Sequence, residues 1–171
     1  MKINDRYLFK AKKKNWQELP KDEQWVQGYL FDDGFENGRM FVGGLVVEKY
    51  TGTACDDWTV TGVDFYEIDP NTICQCTGLK DKNGKLIWEN DVVKCVDENN
   101  DIEFTAIIEF GNPNGLYDWG YQLQHIKGDE PNLDILLWVD MEEAGATCKV
   151  IGNIFDNPEL WEIEVDEEIE R

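Results

Sequence analysis

The chain has 171 residues, 42% hydrophobic and 12% aromatic, which supports a packed core and excludes a disordered polymer. Its 16 basic and 36 acidic residues leave a formal net charge of −20, a field that opposes phosphate backbones and disfavours direct nucleic-acid binding. No apolar run reaches the length of a membrane span and no signal-peptide core opens the chain, so a soluble intracellular protein without a membrane partner is expected.

The charge is uneven. Residues 1–27 carry seven Lys/Arg against four Asp/Glu, and the remainder carries nine against thirty-two. A first strand is predicted over Arg6–Ala11, with Tyr7 and Phe9 on one face, followed by the basic run Lys10–Lys14. Such a run reads as a solvated loop or a lysine-guarded strand edge before it reads as a nucleic-acid arm. Residues 24–31 alternate as a second strand with Trp25, Tyr29 and Phe31 on one side, and Asp32-Asp33-Gly34 and Glu36-Asn37-Gly38 supply turns. Met40–Tyr50 reads as a long strand in which Gly43-Gly44 marks a bulge or bend. In the next strand, Trp58 and Val60 alternate with threonines and the apolar parity slips at Gly62 to Val63 and Phe65, so a bulge at Gly62 is predicted.

From Tyr66 to Val96 turn signals come close together. Pro70 pushes Asp69 to extended geometry, so strand and turn are expected here rather than helix. Asn83-Gly84 between Leu79 and Leu86-Ile87-Trp88 is a strong short hairpin signal because both residues tolerate positive φ. Glu89-Asn90-Asp91 makes the next corner and Val92–Val96 starts a strand. This block, together with Cys148–Trp161 (CKVIGNIFDNPELW), resembles the YopX proteins of phages and prophages, with Asn90 standing where that family usually has glycine. Asn is the best non-glycine occupant of a left-handed position, so the departure is mild. The two blocks cover about a quarter of the chain and leave residues 40–65 outside, as a segment expected to vary between lineages. The resemblance implies a phage or prophage accessory protein acting in the bacterial host cytoplasm, and it brings no activity with it.

Beyond the block, Asp97–Asp101 (DENND) joins two strands, the second alternating clearly from Ile102 to Phe110. Its Asp97, Asn99 and Asp101 have calcium-loop spacing, but Ile102 stands at the required glycine and Ile108 at the closing glutamate, so a hairpin turn is predicted. Gly111-Asn112-Pro113-Asn114-Gly115 is a loop. Tyr117, Trp119, Tyr121, Leu123 and His125 then share one face of a strand. An aromatic stripe ending in an imidazole is ordinarily core. Read functionally, it floors a ligand pocket, which makes Trp119, Tyr121 and His125 the candidate ligand or partner surface. Ile135–Val139 reads as a strand, Glu142-Glu143-Ala144 as a helical turn or loop, and Cys148–Ile151 as the last strand. Asn157 is a candidate N-cap ahead of Pro158, and the acidic tail that follows makes a long lone helix doubtful.

Motifs for chemistry are sparse. Cys55, Cys74, Cys76, Cys95 and Cys148 read as reduced, structural thiols. Cys74-Gln75-Cys76 places two thiols on one strand face, but the chain has one histidine and no paired knuckle, so no metal and no cofactor is expected. Phosphate-loop and dinucleotide fingerprints are missing, and adjacent acids such as Asp56-Asp57 point to opposite strand faces, a poor arrangement for acid–base work. The expected fold is mainly β. It comprises an N-terminal β lobe over 1–66, a small SH3-like barrel over 67–157 and an acidic tail over 158–171 with a short helix or turn, possible also as one compact domain. The expected function is a non-enzymatic interaction protein, homo-oligomeric or bound to a basic host or phage protein. An acidic nucleic-acid mimic and a small-ligand-binding barrel are the alternatives.

Overall fold

The computed structural model describes residues 5–35, 38–50, 57–112, 115, 119–129, 133–139 and 145–161, with backbone only for 47–50 and 57–59. Among these residues the fold is mainly β, as predicted: ten strands in antiparallel sheets and one short α-helix. Two compact units divide at Cys76.

The first unit, residues 1–76, holds β1 (Phe9–Lys12), β2 (Trp25–Asp32), β3 (Met40–Tyr50) and β4 (Asp57–Glu67) in the order β4-β3-β2-β1. The start of β5 (Cys74–Lys80) lies beside β1, with Phe9 opposite Gln75 and Lys10 opposite Cys74. Alternate residues of a strand point to opposite faces. The register of Ala11 against Val26, and of Leu30 against Val42, therefore gathers Phe9, Ala11, Val26, Leu30 and Val42 on one face, where they form a core with Ile68 and Ile73. The first strand begins later than predicted. Residues Asp5–Tyr7 form a 3-10 turn closed by Leu8 N–H on the Asp5 carbonyl, so Tyr7 does not share the strand face of Phe9 and is exposed.

β3 and β4 form an 11-residue hairpin pair. Its irregularity lies where the parity argument put it: Val46 faces Gly62, the next residue Val47 faces Val60, and Thr61 is the extra residue. The bulge or bend expected at Gly43-Gly44 is not there. Gly43 and Gly44 keep regular register with Phe65 and Asp64, and Gly43 serves a close approach instead. At Pro70 the chain makes a 3-10 turn over Pro70–Thr72; Asp69 is extended, and its carboxylate accepts from Asn71 N–H at 3.1 Å.

The second unit, residues 77–171, contains the remainder of β5 beside β6 (Leu86–Trp88). It also has a four-stranded sheet in the order β10-β7-β8-β9, formed by β7 (Asp91–Asp97), β8 (Ile102–Gly111), β9 (Gly120–Gly128) and β10 (Ala146–Asn153). That order has two ends, and among the described residues closure into a barrel is not seen. Its core gathers Ile87, Val93, Cys95, Phe104, Ile108, Leu123 and Trp138, with Phe104 and Trp138 edge to face at 4.8 Å. Trp138 belongs to α1 (Leu136–Val139), which corrects the strand expected over Ile135–Val139. An apolar run this short fits either state by pattern. Asp134 decides it, accepting from Leu136 N–H at 2.9 Å and so starting a helical turn that swings Trp138 inward.

Local turn chemistry behaves mostly as read. Asn90 is left-handed at φ 66, and the Asp97 carboxylate accepts from Asn99 and Asn100 N–H to close the DENND hairpin. In the Asp81–Lys85 turn Gly84 has φ 78, while Asn83 is not left-handed. Asp81 organises this turn. Its carboxylate accepts from the N–H groups of Asn83 and Lys85, each at 2.9 Å, and of Val150 at 3.2 Å. Burial by itself pushes that carboxyl up, but the backbone donors of Lys85, Val150 and Asn83 outweigh it and hold it below its ordinary value. Asn157 does not cap. Pro158–Leu160 is a 3-10 turn, and Asn157 Oδ1 accepts from Asn153 N–H at 3.4 Å. Glu142-Glu143-Ala144, Tyr117 and residues 162–171 lie outside the described residues.

Candidate interaction surface

On the face of the first sheet opposite its core, the register lines up apolar side chains from three strands. Tyr29 and Phe31 of β2 face Gly43 and Phe41 of β3, and Leu45 and Gly43 of β3 face Val63 and Phe65 of β4. Past the bulge, Val60 returns to the same face. These side chains are largely in water: Leu45 is 66% exposed and Val63 62%, and Tyr29, Phe31, Val60 and Phe65 are exposed too. Isolated exposed apolar residues are ordinary, whereas a contiguous strip across three paired strands is a candidate binding surface.

Gly43 shapes the strip. A Cβ there would collide with the Asp64 carbonyl oxygen and come within 2.8 Å of the Phe65 ring. The bare position lets Phe65 lean over β3 and meet Phe31 edge to face, with centroids 5.0 Å apart. An aromatic ring covering a strand glycine restores the contact that the missing side chain cannot make.

The basic run Lys10–Lys14 is built into this unit and is not an arm. Lys12, expected in a solvated loop or edge, is 1% exposed. Its ammonium lies 3.8 Å from the Trp16 ring centroid and 3.3 Å from Gln24 Oε1. Lys13 lies over Tyr66 at 4.5 Å, and Lys14 pairs with Glu67 at 2.7 Å. A buried ammonium is tolerable because an aromatic face and a carbonyl oxygen replace its water.

The three candidate residues around β9 differ in their surroundings. Tyr121 packs beside the second core and meets Phe110 at 5.1 Å, Trp119 is 77% exposed, and His125 is exposed with its ring 6.3 Å from Phe104. Leu123, from the same stripe, is fully buried. Cys74, Cys76, Cys95 and Cys148 are buried thiols; Cys55 lies outside the described residues. Cys148 stands opposite Cys95, and hydrogen bonding between the two thiols together with burial pushes the Cys95 thiol far up, so it is a poor nucleophile. Among the described residues no three His, Cys, Asp or Glu side chains gather to hold a metal, and no helix is long and apolar enough to cross a membrane.

The alternation of Met40–Tyr50 and Trp58–Phe65 was the available signal for the strip. It announced an apolar face without saying whether anything covers it. No curated protein matches the chain significantly. The family model described as YopX protein matches residues 36–162, and this match takes in the β3–β4 hairpin that the two motif blocks left outside. With most of the chain inside that match, the protein belongs to the YopX family.

Proposed function

We propose that the chain is a non-enzymatic protein-interaction module that docks a protein on the outer face of β2, β3 and β4. One observation carries this: a contiguous exposed apolar strip of Phe31, Leu45, Val60, Val63 and Phe65 on a glycine-adapted sheet. Family membership supports a place among phage and prophage accessory proteins of the bacterial cytoplasm. The test is a solvent-sensitive apolar dye. Its fluorescence should rise with the wild-type chain and fall in the Leu45→Glu/Val63→Glu variant at an unchanged melting temperature. An equal signal from both would sink the reading.

A second reading, imitation of nucleic acid, draws on the acidity of the second unit. Seven basic against twenty-three acidic residues give it −16, against −4 for the first unit with nine and thirteen. The topology brings Asp97, Asp101, Glu103 and Asp129 to one end of its sheet. Three of them are engaged, Asp97 by the amides of its own turn, Glu103 by Lys94 at 2.6 Å and Asp129 by the Glu103 N–H at 2.8 Å. Docking on the apolar strip therefore has the stronger support.

A further inference from the structure

We propose that the outer edge of β4 accepts a basic, extended segment of a protein partner as an added strand. This rests on reading the outer face as a docking surface, and it names the occupant. Among the described residues β4 is the terminal strand of its sheet, paired with β3 from Glu67 opposite Phe41 to Asp57 opposite Tyr50, so its other side is an edge there. An edge strand offers a row of backbone donors and acceptors that a further strand can take up. Edges are commonly blocked by proline, lysine or a bulge; Asp57–Glu67 contains neither proline nor lysine, and its bulge at Thr61 keeps Val60 on the face of Val63 and Phe65. A strand added there sets alternate side chains beside Val60, Val63 and Phe65, extending the apolar strip by one strand width.

Charge chooses the occupant. The two hairpin strands hold Glu48, Asp57, Asp64 and Glu67 against the single cation Lys49, within a chain of −20. Lys14 already neutralises Glu67, whereas Asp64 is exposed and its carboxylate accepts from a neutral partner, the Tyr66 hydroxyl, at 2.8 Å. Pairing β4 with β4 of a second copy brings carboxylates to carboxylates with no cation on either strand, which is destabilising in a sheet. A segment alternating apolar residues with Lys or Arg satisfies the edge, the strip and the charge together.

The test uses the full chain and three labelled nine-residue peptides. One alternates lysine and valine, one is the same peptide N-methylated at every residue, and one carries glutamate in place of lysine. Fluorescence anisotropy should show binding of the lysine peptide alone. That binding should weaken about tenfold in Asp64→Lys, an exposed substitution whose melting temperature checks the fold, and steeply between about 50 and about 500 mM salt. The methylated peptide keeps its charge and loses its backbone donors. Equal binding of it shows attraction without strand addition and overturns the inference, while the dye result for the outer face stands or falls separately. Equal binding of the glutamate peptide, binding of none, or a dimer of the chain that Val63→Glu dissociates each overturns it as well.

Discussion

Phe31 and Phe65 meet edge to face at 5.0 Å although β3 runs between their strands, and Gly43 is the residue whose missing side chain makes room. Gly43→Ala should therefore cost more than a change of strand propensity. The added methyl runs into the Asp64 carbonyl and the Phe65 ring, and overpacking of this kind costs about 1–3 kcal/mol. Urea unfolding measures the loss, and near-ultraviolet circular dichroism should report the displaced rings. Unchanged stability would mean that the hairpin adjusts without strain.

Gly84 makes the opposite case, because a Cβ there meets nothing within 4 Å yet φ is 78. The expected penalty is conformational alone. Gly84→Val should lose about 1–3 kcal/mol, and Gly84→Asn much less, because Asn visits the left-handed region readily. Equal melting temperatures for the two variants would contradict a left-handed turn.

Asp81 ties its turn to β10 through Val150 N–H. Its carboxyl lies below the ordinary 3.8 in the folded chain. The stabilisation is thus fully present above the unfolded pKa and is lost as pH falls through the folded value. Asp81→Ala leaves buried amide donors unmatched and should cost about 1–3 kcal/mol at neutral pH. In denaturation curves from about pH 7 down to about pH 3, the variant should lose part of the acid-side slope that the wild type shows. Parallel curves would remove Asp81 from the acid response.

Lys12 and Lys13 are neighbours with different fates. Lys12→Ala empties a site between Trp16 and Gln24 and should cost about 2 kcal/mol through lost packing and cation–π contact. Lys13→Ala should change stability by a few tenths of that. In a gel shift with duplex DNA at about 100–150 mM salt, neither the wild type nor either variant should bind. Micromolar binding that Lys13→Ala and Lys14→Ala abolish would make the basic run the functional element.

What the sequence determined by itself is the local geometry. Alternation announced the strands, and the parity slip at Gly62 located the bulge opposite Val46 and Val47. Gly84, Asn90 and Asp97 set their turns because left-handed backbone and short-range carboxylate–amide bonds depend on residues within a few positions of one another. Tertiary structure decided everything that depends on what lies across a sheet. Period-2 alternation is the same for a covered face and a bare one, so Val42 is buried while Leu45 and Val63 stand in water. The run Ile135–Val139 fits strand or helix until Asp134 and the Phe104 ring claim it. Lys12 has the composition of a surface residue and is interior because Trp16 and Gln24, brought to it by the fold, supply the contacts that water would otherwise make.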